Sequence, residues 1–310
     1  MINGILNIYK KKGYTSHDVV AKLRKITGQK KIGHTGTLDP DAEGVLPVCL
    51  GRATKVCDML TERDKTYETV LLLGKITDTQ DISGTVLEER DAGSVTEEQV
   101  KECIRGFEGE YDQIPPMYSA LKINGRKLYE LAREGKTVER KSRRVTIHGI
   151  RILEIRLPRI RMEVSCSKGT YIRTLCQDIG ERLGTGGCME SLVRTRSGRF
   201  GLNESYRLDE VEDFAGRDRL SEILIPLDTV FEDAQKASVS EKYFRKACNG
   251  NPLPAEGVLC ESAPYQGRRY RIYAPAGYFI GIYRYHEKNR SFELEKMFLD
   301  PEEAASGRKN

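Results

Sequence analysis

Residues 33–44 read GHTGTLDPDAEG, with three glycines, one proline, one histidine and the acids Asp39, Asp41 and Glu43 in twelve positions. A carboxylate held in a glycine-rich turn can act as a nucleophile, a general base or a metal ligand. A phosphate-binding P-loop is excluded, because it needs G-x-x-x-x-G-K-[ST] and no such spacing occurs. The run DPDAEG imitates the first half of a calcium loop, with acids at loop positions 1, 3 and 5 and glycine at 6. Position 12 must then be a bidentate glutamate, and it is Leu50. No G-x-S-x-G nucleophile elbow lies in a strand-to-helix context. Paired-carboxylate glycoside chemistry stays open on residue types alone, although side chains two apart on a turn need not face each other across a substrate. Asp39-Pro40 is equally a plain turn signal, with Asp39 bonding its own downstream backbone.

The elements around this loop follow from periodicity. YTSHDVVAKLRKITGQKK (14–31) reads as a helix with Ser16 as N-cap, an apolar stripe of Val19, Val20, Leu23 and Ile26, and Gly28 as the stop. A short helix is expected over RATKVCDML and a strand over TYETVLLLG (66–74). VTIHGIRILEI and IRMEVSCS read as two further strands. GTYIRTLCQDIGERLG reads as a helix whose stripe is Ile172, Leu175, Cys176, Ile179 and Leu183, with Thr170 as cap and Gly184 as stop. The stretch from Ile114 to Arg144 opens with two prolines, carries a helix-like RKLYELARE and ends strongly basic. It is expected to be an excursion that is mobile until it meets a partner. From about residue 236, RRYRIYAPAGYFIGIYRYHEK alternates aromatic and basic residues around a P-A-G turn, the pattern of a small β-rich domain. Helices and strands mix without a βαβ rhythm, so the class is α+β.

At 310 residues the chain is longer than one hydrophobic core usually supports, which predicts two domains. With 38% hydrophobic and 31% charged residues the composition is that of an ordinary globular protein. No apolar run approaches the about 18 residues of a membrane span, and the amino terminus lacks the layout of a secretion signal. A cytosolic protein is expected. The eight cysteines never form a C-x₂₋₄-C pair, which argues for reduced, mostly buried thiols rather than a zinc site. The net charge of +5 is uneven. Residues 10–31 hold eight Lys or Arg against one acid, and residues 122–144 hold nine against three, while 204–233 hold ten acids against three arginines. Two basic segments on an acidic body indicate an oriented polyanion footprint.

GHTGTLDPDAEGVLPVCLGRATK (33–55) closely resembles the signature of TruB-type tRNA pseudouridine synthases. The resemblance continues through KTYE (65–68), PPMYSALKINGRKLYELAREG (115–135), SCSKGTYIRTLCQDIGERLG (165–184) and ESLVRTRSGRF (190–200). The tail resembles a PUA-like RNA-binding domain more weakly, through AGYFIGIYRY. The resemblance implies a mixed, largely antiparallel sheet flanked by helices, with a small β-rich PUA-like C-terminal domain. The catalytic domain would span 1–235, with an RNA-gripping excursion at about 115–144, and the PUA-like domain 236–310. It implies isomerisation of the T-loop uridine, position 55 in standard tRNA numbering, without cofactor or metal. Uracil is detached from its ribose, turned, and rejoined through carbon. Asp39 matches the catalytic aspartate, Arg173 its arginine partner, and Tyr67 the tyrosine of the uracil pocket and candidate base for the carbon-5 proton. Tyr171 and Leu192 match residues that contact the flipped uridine, His34 one that supports the flipped nucleotide, and Lys55 a lysine near the site serving structure or phosphate contact.

The implied partner is the tRNA T stem-loop, with no membrane and no obligatory protein partner, and the implied state is a monomer. Val193 stands where the family commonly has an arginine. The long N-terminal extension and extended tail of guide-RNA-dependent relatives are not seen in this sequence, which favours an enzyme acting alone. An RNA chaperone or binding module and a guide-dependent catalytic subunit are the competing readings.

Overall fold

The structure, a computed structural model, describes residues 1–299. The main sheet contains nine strands, seven of them in the order Gly4–Lys10, Glu43–Leu50, Gly187–Ser197, Lys65–Leu73, Arg159–Cys166, Arg143–Arg156 and Gly109–Gln113. The first three strands in the chain are labelled β1 (Gly4–Lys10), β2 (Ile32–His34) and β3 (Glu43–Leu50). β2 pairs with β3, and Phe200–Gly201 pairs with Gly187–Ser197. All neighbours are antiparallel except one. Gly187–Ser197 runs parallel to β3, matching Val193 to Glu43 and Arg194 to Gly44. The expected α+β class with a mixed, largely antiparallel sheet is therefore what the chain forms. A second, six-stranded sheet is built from residues 235–297, in which Arg269–Tyr273 and Phe279–His286 flank the anticipated P-A-G turn.

Helix α1 (Ser16–Thr27) buries Val19, Val20 and Leu23 and stops at Gly28 in the left-handed conformation. Its cap differs from the expectation. Thr15 is the N-cap, accepting from Asp18 N while Asp18 returns a bond to the Thr15 backbone, and Ser16 is the first helical residue. In the helix Ile172–Arg182 the cap position is Tyr171. Thr170, expected there, instead donates its hydroxyl to Ser167 O at 2.9 Å. That helix lays Ile172, Leu175, Cys176 and Ile179 on the main core beside Gly187–Ser197 and Lys65–Leu73.

Residues 115–144 contain the short hairpin Lys122–Ile123/Arg126–Lys127 and the helix Leu128–Arg133. The helix starts later than the sequence pattern indicated, because Asn124 and Gly125 both take positive φ (50° and 82°) and turn the chain into a hairpin first. The two sheets meet at a shared apolar layer, where Ile5, Val45 and Phe231 pack with Ile282 and Phe298.

The parallel pairing sets a tight constraint at Gly44, whose φ is 102° and where an added Cβ would lie 2.3 Å from Arg194 O. Gly44→Ala should cost about 2–5 kcal/mol of folding stability in urea titrations, combining backbone strain and overlap. Gly28→Ala, at φ 63° with open space around it, should cost only about 1–2 kcal/mol. Equal losses would show that the strand approach at Gly44 is not what demands glycine.

Candidate active site

Asp39, Pro40, Asp41 and Ala42 form a turn in which Ala42 N donates to Asp39 O at 3.1 Å, with proline at the position that favours it. The main chain of Asp39, not its side chain, closes the turn, so the carboxylate remains available. Three contacts fix the turn from behind. The buried Ser16 hydroxyl accepts from Leu38 N at 2.9 Å and donates to Leu38 O at 3.3 Å. Lys10 Nζ donates to Pro40 O at 3.1 Å, Tyr14 O at 2.6 Å and Lys11 O at 3.2 Å. Gly13 N donates to the same Pro40 O at 2.9 Å. Ser16, anticipated as a helix cap, is thus a clamp on the residue preceding Asp39.

Arg173 comes to Asp39 from the first turn of the helix Ile172–Arg182. Its Nε lies 3.1 Å from Asp39 Oδ2. The rest of the fork is also used: Nη1 donates to Thr79 O at 3.1 Å and reaches Asp81 Oδ2 at 3.4 Å, and Nη2 donates to Tyr118 O at 2.9 Å. The guanidinium side chain is only 6% exposed, whereas Asp39 is 39% exposed. The carboxylate therefore sits at the mouth of the site with its cation beneath it. A planar five-donor group satisfies two acids and two carbonyls at once, which a lysine ammonium cannot do in fixed geometry.

Burial pushes the Asp39 carboxyl above the usual carboxylate range, opposed first by Arg173 and then by Lys10, while Asp81 and Asp41 add to the upward push. Burial also depresses Lys10 to about 8, against the attraction of Asp39 and Glu43.

Tyr67 lies half-buried against the main core, opposite Arg194 on one neighbouring strand and Val164 on the other. Burial raises its phenol, Arg194 draws it down, and Cys166 and Asp39 push it up. Tyr171 precedes the Arg173 helix and is pinned at both backbone ends by Gln113, which accepts from Tyr171 N at 2.7 Å and donates to Tyr171 O at 2.9 Å. Its phenol is raised by burial, and Arg173 and Asp39 both act on it. His34 closes β2, and its Nδ1 accepts from Gly36 N at 3.4 Å. Burial and then Arg194 lower its pKa, favouring the neutral ring. Leu192 is 7% exposed within the main core. Lys55 follows the far end of β3 from Asp39 and donates to Met297 O at 2.8 Å, on the second sheet. The fold thus gathers Asp39, Arg173, Tyr67 and Tyr171 electrostatically and sends Lys55 toward the sheet junction.

Three residues of this site escaped sequence reading. Asp81 shares Arg173 and is fixed by Thr79 and Ser83 hydroxyls, and nothing in its turn sequence marks it. Lys10 was only one charge in a basic run. Arg194 did leave a signal, a cation at an inward position of an alternating strand next to Leu192. Among the described residues no three His, Cys, Asp or Glu side chains converge at metal-ligand spacing.

Against known proteins, the family description "TruB family pseudouridylate synthase (N terminal domain)" matches residues 24–172, and "tRNA pseudouridylate synthase B C-terminal domain" matches 173–232. The tRNA pseudouridine synthase B of Lachnoclostridium phytofermentans is 52% identical over 308 residues, covering 96% of this chain and all of the relative. Its counterpart in Clostridium perfringens strain SM101 is 43% identical over 300 residues, with 96% and 100% covered. Among solved structures, a Cbf5-Nop10-Gar1 complex aligns with a TM-score of 0.70 and 27% identity, over 96% of this chain and 86% of that one. An H/ACA RNP bound to a substrate RNA containing 2'-deoxyuridine gives the same TM-score at 26% identity and the same coverage.

Two measurements test the site's geometry. Ser16→Ala leaves Leu38 N without its partner in a buried place and should cost about 1–3 kcal/mol of stability, together with a loss of activity that exceeds any loss of ligand binding. Equal activity would show that the Leu38 clamp does not hold Asp39. If Asp39 reacts as an ionised carboxylate, activity should fall as pH drops through its raised pKa, above the ordinary value of about 3.9. Asp81→Asn removes a like charge and should move that acid limb of the pH–rate profile to lower pH. A limb that stays put or moves up would show that Asp81 does not act on Asp39 through charge.

Proposed function

The chain belongs to the TruB family of pseudouridylate synthases, and from that premise we propose that it converts the T-loop uridine of tRNA, position 55, to pseudouridine with Asp39 as the nucleophile. The observation that carries this reading is the 3.1 Å pair between a partly exposed carboxylate and a buried guanidinium. A nucleophile must be both ionised and reachable, and that pair supports both requirements. Arg173 keeps Asp39 oriented and charged against the upward push of burial. Tyr67 stacks against the uracil and takes the carbon-5 proton at the end of the reaction. Tyr171 and Leu192 line the pocket for the extruded base, and His34, neutral and half-buried, supports the nucleotide that leaves the loop. Lys55 has a structural role at the sheet junction, supported by its bond to Met297 O.

The target base is stacked in the folded T loop, so its extrusion costs on the order of a few kcal/mol. Phosphate contacts from the basic segments 10–31 and 122–144 offset that cost. Residues 1–235 form the catalytic unit in this reading and 236–310 the PUA-like RNA-binding unit, of which 300–310 lie outside the described residues. The enzyme acts on tRNA alone, as a monomer in the cytoplasm, without guide RNA, cofactor or protein partner. Near full-length identity to bacterial tRNA pseudouridine synthase B supports that independence. No described helix is long and apolar enough to cross a membrane.

Purified protein incubated with a tRNA transcript should yield pseudouridine at position 55 only. Asp39→Asn should abolish product while tRNA affinity stays within about threefold, a change of less than 1 kcal/mol. Substantial product from the variant would remove Asp39 from the nucleophile role. Reversing Lys122, Arg126 and Lys127 to Glu should weaken tRNA binding and flatten its salt dependence by about 0.7–0.9 per lost phosphate contact. A wild-type slope would place the 115–144 segment outside the footprint.

A further inference from the structure

Arg194 is the largest fully buried side chain of the described residues, at 1% exposure. Its hydrogen bonds go to main-chain oxygens, from Nε to Val45 O at 2.7 Å and from Nη2 to Gly36 O at 3.3 Å. Among the described residues it joins no ion pair. A buried cation without an anion is costly, and an apolar side chain would ordinarily serve packing better. Its register explains what the charge does. Arg194 stands directly opposite Tyr67 on one neighbouring strand and opposite Gly44 on the other. One guanidinium therefore holds both ends of the catalytic loop, at Gly36 and Val45, and stands across the strand pair from the Tyr67 ring.

We propose that Arg194 is the positioning residue of Tyr67, fixing the phenol oxygen relative to the Asp39 loop and supplying the positive charge that lets this oxygen accept the carbon-5 proton. The assignment rests on the reading of Tyr67 as the base. In that step the C5–H bond breaks and its electron pair forms the C5=C6 double bond as the C6=N1 pair withdraws onto N1, which takes a proton from solvent. Had Asp39 added at C6, that C6–O bond breaks instead and the carboxylate leaves. The C5 proton passes to the Tyr67 oxygen in its ionised form, a minority at rest because burial outweighs Arg194. The phenol proton returns to solvent before the next turnover. The groups facing Tyr67 are Arg194, Cys166 and Asp39. Cys166 is a buried thiol held above its ordinary range by burial, and Asp39 is an acid, so Arg194 is the group among them that favours a phenolate. The same cation, after burial, depresses His34 and Lys65, as an uncompensated charge does.

The test is single-turnover pseudouridine formation on a T stem-loop RNA carrying hydrogen or deuterium at uridine C5. Arg194→Lys keeps a charge but loses the fork. Its rate should fall roughly 10- to 100-fold, inside the ~10²–10⁴ that a positioned base contributes, with a larger C5 isotope effect and a basic shift of the pH–rate profile. A slower variant whose isotope effect and profile match the wild type would reduce Arg194 to a structural part, and an unslowed variant would overturn the assignment outright. If Arg194→Lys does not fold, nitrogen NMR of the Arg194 side chain decides in the native protein and in Tyr67→Phe. A resonance that shifts on loss of the hydroxyl supports the assignment, and one that does not overturns it. Tyr67→Phe at the wild-type rate would instead sink the Tyr67 reading beneath it.

Discussion

The ion pair between Arg173 and Asp39 is the interaction on which the rest of the site depends. A carboxylate gains reach by being partly exposed and loses its charge by being partly desolvated. The guanidinium beneath it resolves that conflict, because it is buried and already committed to Thr79 O, Tyr118 O and Asp81. With those commitments made, Nε faces Asp39. They also tie the turn at 79–81 and Tyr118 to the guanidinium that pairs with Asp39.

The support around Asp39 comes from unusual uses of ordinary residues. Ser16 spends its hydroxyl on the Leu38 backbone, and Thr15 takes over the helix cap that Ser16 would otherwise supply. Lys10 has no exposure and donates to three carbonyls, one of them Pro40 O. Arg194 holds Gly36 O and Val45 O, the two flanks of the loop. The buried cations among them donate to backbone acceptors, which holds the loop from its own main chain. Each carries a desolvation cost that only a satisfied set of hydrogen bonds offsets.

Charge is divided between the interior and the surface. Near Asp39 the cations are buried and aimed inward. The lysines and arginines of 122–144 are mostly exposed, and their pairs, such as Arg144 with Asp112 and Lys136 with Glu134, lie in solvent where they add little stability. The second sheet is joined to the first by an apolar layer and by Lys55, so an RNA held by both would be held by one surface.

What the sequence determined alone was local. The glycine-rich turn with Asp39-Pro40, the apolar stripes of the two helices around 16–27 and 172–182, the strand read at 66–74 and the basic segments all follow from spacing of a few residues, where side-chain period and turn chemistry act directly. The family signature added the names of Arg173, Tyr67 and Tyr171, which no local spacing connects to Asp39. Tertiary structure decided the rest. Thr15 displaced Ser16 as cap because Leu38, far along the chain, needed the Ser16 hydroxyl. Asp81 entered the site because the fold sets the turn at 79–81 against the Arg173 fork. Arg194 faces Tyr67 because strand register, a long-range property, sets that row. The physical reason is common to all three: a hydrogen bond or ion pair between distant residues exists only once the fold has closed the loop between them, and no window on the chain contains both partners.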